Sequence, residues 1–174
     1  LPEQYRAIPD TGQLTRAELA ALIGVRLSTL LQTAPTRDVG VITDVRGNWA
    51  ERWISAALRA GVLEPFPNHT FQPRTVVRRV DFAQALARLL TLVAAVRPEQ
   101  ARAWIGARGR FPDLGAGHLA YPAASIAVAS GVMLVDGDGA FQPARVVSGA
   151  DAIAAIERLS ALSARRGSRA SDRR

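Results

Sequence analysis

The chain contains no cysteine and no lysine among its 174 residues. The absence of cysteine excludes disulfide bonds, thiolate metal sites and cysteine nucleophiles. No apolar run approaches the roughly 20 residues that a transmembrane helix needs, so the sequence predicts no membrane span. The start also lacks the cationic, apolar and small-residue segments of a signal peptide, so we expect any export signal to lie upstream of this fragment.

Sequence motifs for catalysis are missing as well. We find no Gly-x-Ser-x-Gly elbow, phosphate-binding loop or dinucleotide fingerprint. The two histidines, His69 and His118, lie at unrelated positions without a cluster of carboxylates. Residues 136–139 read Asp-Gly-Asp-Gly, but the ligands that a calcium loop needs do not follow, which favours a tight turn. We therefore predict no enzyme activity, no cofactor and no metal site.

All 22 cationic side chains are arginines, and the formal net charge is +7. Arginine pairs bidentately with carboxylate or phosphate groups, which favours an acidic partner. Residues 163–174 hold five arginines and one aspartate, so +4 of the charge lies in this tail and about +3 in the rest. Such a weakly basic folded part argues against a dedicated nucleic-acid surface. The tail is rich in Ser, Gly and Arg, and we predict that it is disordered.

Two stretches of the chain, residues 40–95 and 110–162, repeat each other. The aligned pairs include Asp44 and Asp113, Gly61 and Gly131, Phe71 and Phe141, Pro73 and Pro143, and Asp81 and Asp151. Residues 1–39 match only the second half of this unit, so the first helix of that copy is expected to precede Leu1. Residues 96–109 are an insertion with a short helix from Pro98 to Arg108. We predict that the chain is the C-terminal part of a longer protein.

Helical spacing of apolar residues predicts two helices in each full repeat. The predicted helices run from Thr15 to Gln32, from near Asn48 to Gly61, from Arg79 to Val93, from Tyr121 to Gly131, and from Ser148 onward. Thr15 and Glu18 match a capping box, and Gly61 suits a left-handed helix end. Phe71 is expected to fill the core between the helices of its repeat. The fold class that follows is all-α, built of helix-turn-helix units around a helical core.

The order of these features resembles the S-layer homology repeat. An aspartate, an apolar helix, a Gly-Val pair, a turn, a Phe-x-Pro segment and a second helix recur, and the tetrapeptide Thr-Arg-Ala-Glu stands intact at residues 15–18. The resemblance implies three repeats about a pseudo-threefold axis. It also implies that the arginine at a helix start faces a groove between repeats and binds anionic groups of a cell-wall polysaccharide, often ketal-pyruvate carboxylates.

The aligned arginine position holds Arg16, Arg79 and then Gly149. An arginine beside a helix N-terminus supplies charge together with free backbone donors, which suits an anion; the alternative is a surface ion pair. Trp49 could stack on a sugar ring, although its spacing from Trp53 also fits core packing. The predicted ligand-binding residues are Arg16, Glu18, Arg79, Asp81, Trp49, Gly61 and Gly131.

Two functions from different classes remain open at this stage. The first is a non-catalytic module of the cell envelope, outside the cytoplasm, that anchors its parent protein to an anionic cell-wall polysaccharide or a peptidoglycan-associated polymer. The second is a scaffold that docks other envelope protein subunits. The second receives support from a lost glycine, because Pro65 and Val135 replace the second glycine that family repeats carry after Gly61 and Gly131.

Overall fold

A computed structural model describes residues 1–164, and over this part of the chain the fold is all-α. The elements are α1 (Glu3–Arg6), a 3-10 helix (Ile8–Asp10), α2 (Arg16–Arg26), α3 (Ser28–Leu31), α4 (Glu51–Arg59), α5 (Arg79–Val96), α6 (Pro98–Ala101), α7 (Tyr121–Ala129) and α8 (Gly149–Ala164). Extended pairing in these residues is confined to isolated bridges. The predicted fold class is confirmed.

Several predicted helix limits differ from those in the structure. The first helix is interrupted at Leu27, where φ is −122° and ψ is 24°, so that α2 and α3 replace one continuous helix. Helix α4 begins at Glu51 and not near Asn48, because the Asn48 side chain accepts a hydrogen bond from the Ala50 amide and forms a turn first. The predicted apolar faces are nevertheless buried, as the core residues of α2 and α5 show.

The insertion and the C-terminus also depart from the predicted limits. Helix α6 ends at Ala101, and turns replace the expected helix as far as Arg108; Trp104 is buried here, whereas Ile105 is 54% exposed. Helix α8 continues to Ala164, two residues into the predicted tail, and residues 165–174 lie outside the described residues. Among residues 1–164, no helix combines the length and the hydropathy that crossing a bilayer requires.

The turn that leads from each first helix to its phenylalanine has the same geometry in both full repeats. Gly61 and Gly131 adopt φ values of 71° and 80°, and each follows the last turn of its helix. Only glycine enters this left-handed region without steric cost, so these residues end α4 and α7 as predicted. The side chains of Phe71 and Phe141 are then fully buried in the core.

A carboxylate holds each of these phenylalanines in place. The two oxygens of Asp44 accept hydrogen bonds from the amides of Phe71 and Gln72 at 2.7 and 2.8 Å. Asp113 accepts the same pair of bonds from Phe141 and Gln142, both at 2.8 Å. Each glutamine has a φ of 56°, so the clamp stabilises a backbone conformation that a residue with a side chain rarely adopts.

The second helices of the three copies, α2, α5 and α8, start around a closed ring of backbone hydrogen bonds. The Leu14 amide donates to the Val147 carbonyl at 2.9 Å, the Val147 amide to the Val77 carbonyl at 2.9 Å, and the Val77 amide to the Leu14 carbonyl at 2.8 Å. All three residues are buried and precede equivalent helices. The ring therefore lies on the pseudo-threefold axis, with α8 in contact with both α2 and α5.

The incomplete first copy supplies its own core plug. Ile8 occupies the position that corresponds to Phe71 and Phe141, counted back from the arginine position, and its side chain is fully buried. The 3-10 helix that contains Ile8 packs against α8. An aliphatic residue therefore fills the place of the aromatic ring in this copy, which the sequence alignment did not show. The limits of the three repeats remain predictions.

The helix starts allow a stability test at Thr15. Its hydroxyl accepts from the Glu18 amide and the Glu18 carboxylate accepts from the Thr15 amide, which completes the predicted capping box. Thr15→Ala should therefore lower the free energy of unfolding by about 1 kcal/mol. Thr36→Ala, at an exposed residue outside the helices, is the control in thermal denaturation. Equal melting temperatures for the two variants would contradict the capping role.

Candidate ligand-binding groove

Arg16 and Arg79 connect adjacent repeats through hydrogen bonds to backbone carbonyls. Arg16 donates from Nε to Phe71 O and from Nη2 to Glu64 O, both at 2.8 Å. Arg79 makes the same two bonds one repeat later, to Phe141 O at 2.7 Å and to Leu134 O at 2.9 Å. Two of the three guanidinium nitrogens of each arginine thus hold the fold together, so neither side chain is available only for a ligand.

Backbone amides at these helix starts are not free, contrary to the sequence-based expectation. The amides of Arg16 and Ala17 donate to carbonyls of the second repeat, at 2.9 and 3.0 Å. Those of Arg79 and Val80 donate to carbonyls of the third repeat, also at 2.9 and 3.0 Å. The neighbouring loops occupy the donors that an anion would use, so charge from the arginine side chains must carry any anion binding.

Both guanidinium groups are partly desolvated against aromatic rings. Arg16 lies 4.4 Å from the centre of the Phe71 ring, and Arg79 lies 4.9 Å from that of Phe141. Burial lowers the pKa of Arg16, with the carboxylates of Asp81 and Asp44 acting in the opposite direction. Burial, together with the charge of Arg145, also lowers the pKa of Arg79. A cation in such surroundings has lost hydration and is better satisfied when an anion approaches.

A cavity of about 290 Å³ lies between the second and third repeats, beside Arg79. Three arginines and two aspartates line it together with apolar side chains: Arg79, Arg145, Arg158, Asp136, Asp151, Phe82, Met133, Leu134, Val146, Val147, Ala154 and Ala155. The charged lining carries a formal +1. The cavity therefore combines cationic groups for an anion with carboxylates that accept hydrogen bonds from hydroxyl or amine donors.

The charged side chains around this cavity are held by hydrogen bonds. Arg145 donates from Nη1 to the Gln142 side-chain oxygen at 3.0 Å, and Nε2 of the Gln142 side chain donates to Asp136 at 3.0 Å. Arg158 donates from Nε to Val132 O at 3.1 Å. Because these contacts fix the positions of the groups, a ligand that bound here would cost less conformational entropy.

The structure separates the predicted ligand-binding residues into different environments. Arg16 lies at the first interface between repeats and Arg79 at the second. The Glu18 carboxylate belongs to the capping box, while Asp81 is exposed in the first turn of α5. These residues do not form one site.

The remaining three predicted residues have structural roles in their repeats. Trp49 is half-buried and lies edge-to-face with Trp53 at 6.1 Å, while Gly61 and Gly131 end helices. Trp53 packs over α2 where Gly24 leaves room for its ring. Core packing therefore accounts for the two tryptophans.

Sequence reasoning missed Arg145 and Arg158 as candidate ligand contacts. Arg158 could have been found in the sequence, because Arg88 holds the same position in the second repeat. Each of the two donates to the carbonyl of the residue that follows its helix-ending glycine. Arg145 could not have been found in this way, since its counterpart is Thr75. Within residues 1–164, no three carboxylates or histidines come close enough together to hold a metal ion.

The third interface, between the third and first copies, is closed by the backbone of the first copy, which packs against Gly149. Gly149 stands where the other copies carry arginine, and its amide donates to Thr11 O at 2.9 Å. A Cβ atom at this position would overlap the carbonyl of Ile8. Because the backbone of the first copy fills the space, no arginine side chain can extend here without moving it.

The comparisons with known proteins agree with this architecture. The model of the S-layer homology domain family matches residues 41–83 and residues 110–153. The cellulosome-anchoring protein of Acetivibrio thermocellus is 29% identical over 84 residues. This match covers 48% of the present chain but only 19% of that protein. The similarity thus concerns about a fifth of a larger relative.

Gly149 provides a test of the closed third interface. Gly149→Ala should lower the free energy of unfolding by about 1–3 kcal/mol, because the added methyl group overpacks the contact with Ile8. Alanine has the higher helix propensity, so a stabilised variant would show that the interface is open. Gly12→Ala, whose added Cβ meets no atom within 4 Å, is the matched control and should unfold like the wild type.

Asp113 gives the stability a dependence on pH. Burial alone would raise its pKa, but hydrogen bonds from the Phe141 and Gln142 amides and the charge of Arg79 outweigh this and hold the pKa below its ordinary value. A lowered pKa in the folded state stabilises the fold above the unfolded pKa, about 3.9, and this contribution is lost as the pH falls through the folded value.

We therefore expect Asp113→Asn to lower the melting temperature at pH 7 and to differ less from the wild type near pH 2. Asp10→Asn, at an exposed aspartate of the 3-10 helix, should change little at either pH. A difference between Asp113→Asn and the wild type that stays constant across this range would contradict the assignment.

Proposed function

Because this chain belongs to the S-layer homology family, we propose that it is a non-catalytic module that anchors its parent protein to an anionic cell-wall polysaccharide. Its place is then the cell envelope, outside the cytoplasm. Two matched domains cover half of the chain and support this assignment. The similarity to a cellulosome-anchoring protein supports the anchoring role, although that protein is much larger than the matched region.

The observation that carries the proposal is the cavity beside Arg79. It is a concave site lined by apolar side chains and by five charged groups, several of which are held in place by hydrogen bonds. Polar groups that converge in a concave site are the usual mark of a ligand-binding site. Its volume suits one unit of a sugar chain with its substituents, while the rest of the polymer continues into solvent. A surface ion pair would need no such enclosed space.

The charges of the groove indicate which part of a polysaccharide would enter it. Arg79, Arg145 and Arg158 would bind a carboxylate or other anionic substituent, because guanidinium groups match its planar geometry. Asp136 and Asp151 on the same wall would accept hydrogen bonds from sugar hydroxyls. We infer that the ligand is a polyhydroxylated unit with an anionic group, either in a polysaccharide or in a polymer associated with peptidoglycan.

Arg145 is the most informative residue to change in a binding assay. Arg79→Ala would remove two bonds between repeats, whereas Arg145 is exposed and, among residues 1–164, its side chain bonds only to Gln142 of its own repeat. Arg145→Ala should weaken pull-down by purified cell-wall material about tenfold, equivalent to about 1.4 kcal/mol, with a nearly unchanged melting temperature. Arg46→Ala, an exposed arginine outside the cavity, removes the same charge and should bind normally.

Two further outcomes separate the proposal from its alternatives. Binding that survives Arg145→Ala and disappears on deletion of residues 165–174 would assign the attraction to the arginine-rich tail, which draws any polyanion. A wild-type chain that binds no cell-wall material would reject polysaccharide anchoring and favour a scaffold that docks envelope protein subunits.

A further inference from the structure

The three interfaces between copies share one geometry but differ in the side chains that surround it. We call the cavity beside Arg79, between the second and third repeats, the open groove. At the first interface, the residues that correspond to its Leu134, Asp136 and Ala154 are Glu64, Phe66 and Gln84. Each replacement is larger or carries a charge that the open groove lacks at that point. Two equivalent arginines, Arg16 and Arg79, therefore face different surroundings.

Phe66 covers the arginine of the first interface. The Arg16 guanidinium lies 4.8 Å from the centre of the Phe66 ring and 4.4 Å from that of Phe71. Arg79 has a ring contact with Phe141, while the position of Phe66 is held by Asp136, an exposed residue of the cavity wall. Because an aromatic ring over a guanidinium satisfies part of its charge, Phe66 competes with an anionic ligand for Arg16 in a way that Asp136 cannot compete for Arg79.

The charges of the first interface are also neutralised within the protein. Arg88 pairs with Glu64 of its own repeat at 3.3 Å. Arg158, its counterpart in the third repeat, has no such partner at the equivalent position, which holds Leu134. Thr75 stands in place of Arg145. The first interface thus has two arginines, Arg16 and Arg88, against Glu64 and Asp81, a formal charge of zero, while the open groove has +1.

The third interface is closed by backbone and needs no plug. The Ile8 carbonyl fills the place where a side chain at position 149 would begin, and this position holds glycine in place of arginine. Two of the three positions that pseudo-threefold symmetry provides are therefore occupied by the protein itself, in two different ways.

We propose that the module carries a single polysaccharide site, in the groove of Arg79, and that Phe66 is the residue that removes the site at Arg16. The inference rests on the proposed function for the chemistry of the ligand, but the closure of the first interface is a property of the chain alone. A parent protein anchored through this module would gain avidity only from further modules or copies, not from a second groove here.

The number of sites can be measured with a small probe, the methyl glycoside of a hexose that carries a pyruvate ketal. In a two-dimensional amide NMR titration of the full chain, we expect shifts around Arg79, Arg145 and Asp151 and none around Arg16. Glu64→Leu, Phe66→Asp, Thr75→Arg and Gln84→Ala together copy the third repeat, give the first interface the same formal charge of +1, and should add a second set of shifts around Arg16. Leu119→Ala, at a residue that is 90% exposed, is the control and should behave like the wild type.

A reciprocal variant keeps the test decisive if the variant with an opened first interface does not fold. Asp136→Phe combined with Ala154→Gln places the plug in the open groove, on an exposed turn and a helix surface, and should abolish the shifts around Arg79. Equal shifts around Arg16 and Arg79 in the wild type would overturn the proposal. The proposal would also be overturned if the variant with the plugged groove still bound the probe. It would be overturned as well if the variant with the opened first interface folded but gained no second site.

A probe-independent measurement separates failure of the closure from failure of the proposed ligand. Phenylglyoxal modifies accessible guanidinium groups, and peptide mass spectrometry reports each arginine. Arg79 should react severalfold faster than Arg16 in the wild type, and Phe66→Asp should raise the rate at Arg16 toward that of Arg79. If no sugar shift appears but these rates hold, the ligand chemistry is wrong and the closure stands; equal rates in the wild type would reject the closure.

Discussion

The ring of hydrogen bonds among Leu14, Val77 and Val147 is the constraint on which the other features depend. Each of these buried residues donates its amide to one copy and accepts through its carbonyl from the other, so no backbone group at the axis is left unpaired. An unpaired buried amide or carbonyl costs free energy comparable to a lost hydrogen bond. The ring can close only if all three copies are present, which makes even the incomplete first copy part of a shared core.

This arrangement also determines where each arginine lies. The helix that follows a ring residue starts against the loop of the next copy, and its first amides donate to that loop. The arginine at the helix start then extends to two further carbonyls of the same loop, as Arg16 and Arg79 do. Where the loop comes closer, at Ile8, only Gly149 fits. Loop position and residue type at one helix start are therefore matched in all three copies.

The ligand binding that we propose depends on departures from the symmetry of the fold. The symmetric elements, which include the Asp44 and Asp113 clamps and the buried Phe71 and Phe141, build the scaffold. The groove that we assign to the ligand is open because Asp136 and Ala154 are small or polar where the neighbouring copy has Phe66 and Gln84. A repeat protein can thus keep one core while each interface between repeats acquires its own binding properties.

Local features of this protein could be predicted from the sequence because each depends on residues close together in the chain. The capping box at Thr15, the left-handed Gly61 and the buried face of α5 follow from backbone sterics and helical spacing over a few residues. The same helical spacing in each repeat predicted the all-α class. The candidate site could not be obtained in this way. The structure alone shows which donors of Arg16 and Arg79 are already used, where Arg145 lies and what Phe66 covers. These features depend on carbonyls and rings roughly 50–60 residues away in sequence. Their distances are set by how three loops pack around one axis, and only the tertiary structure decides that.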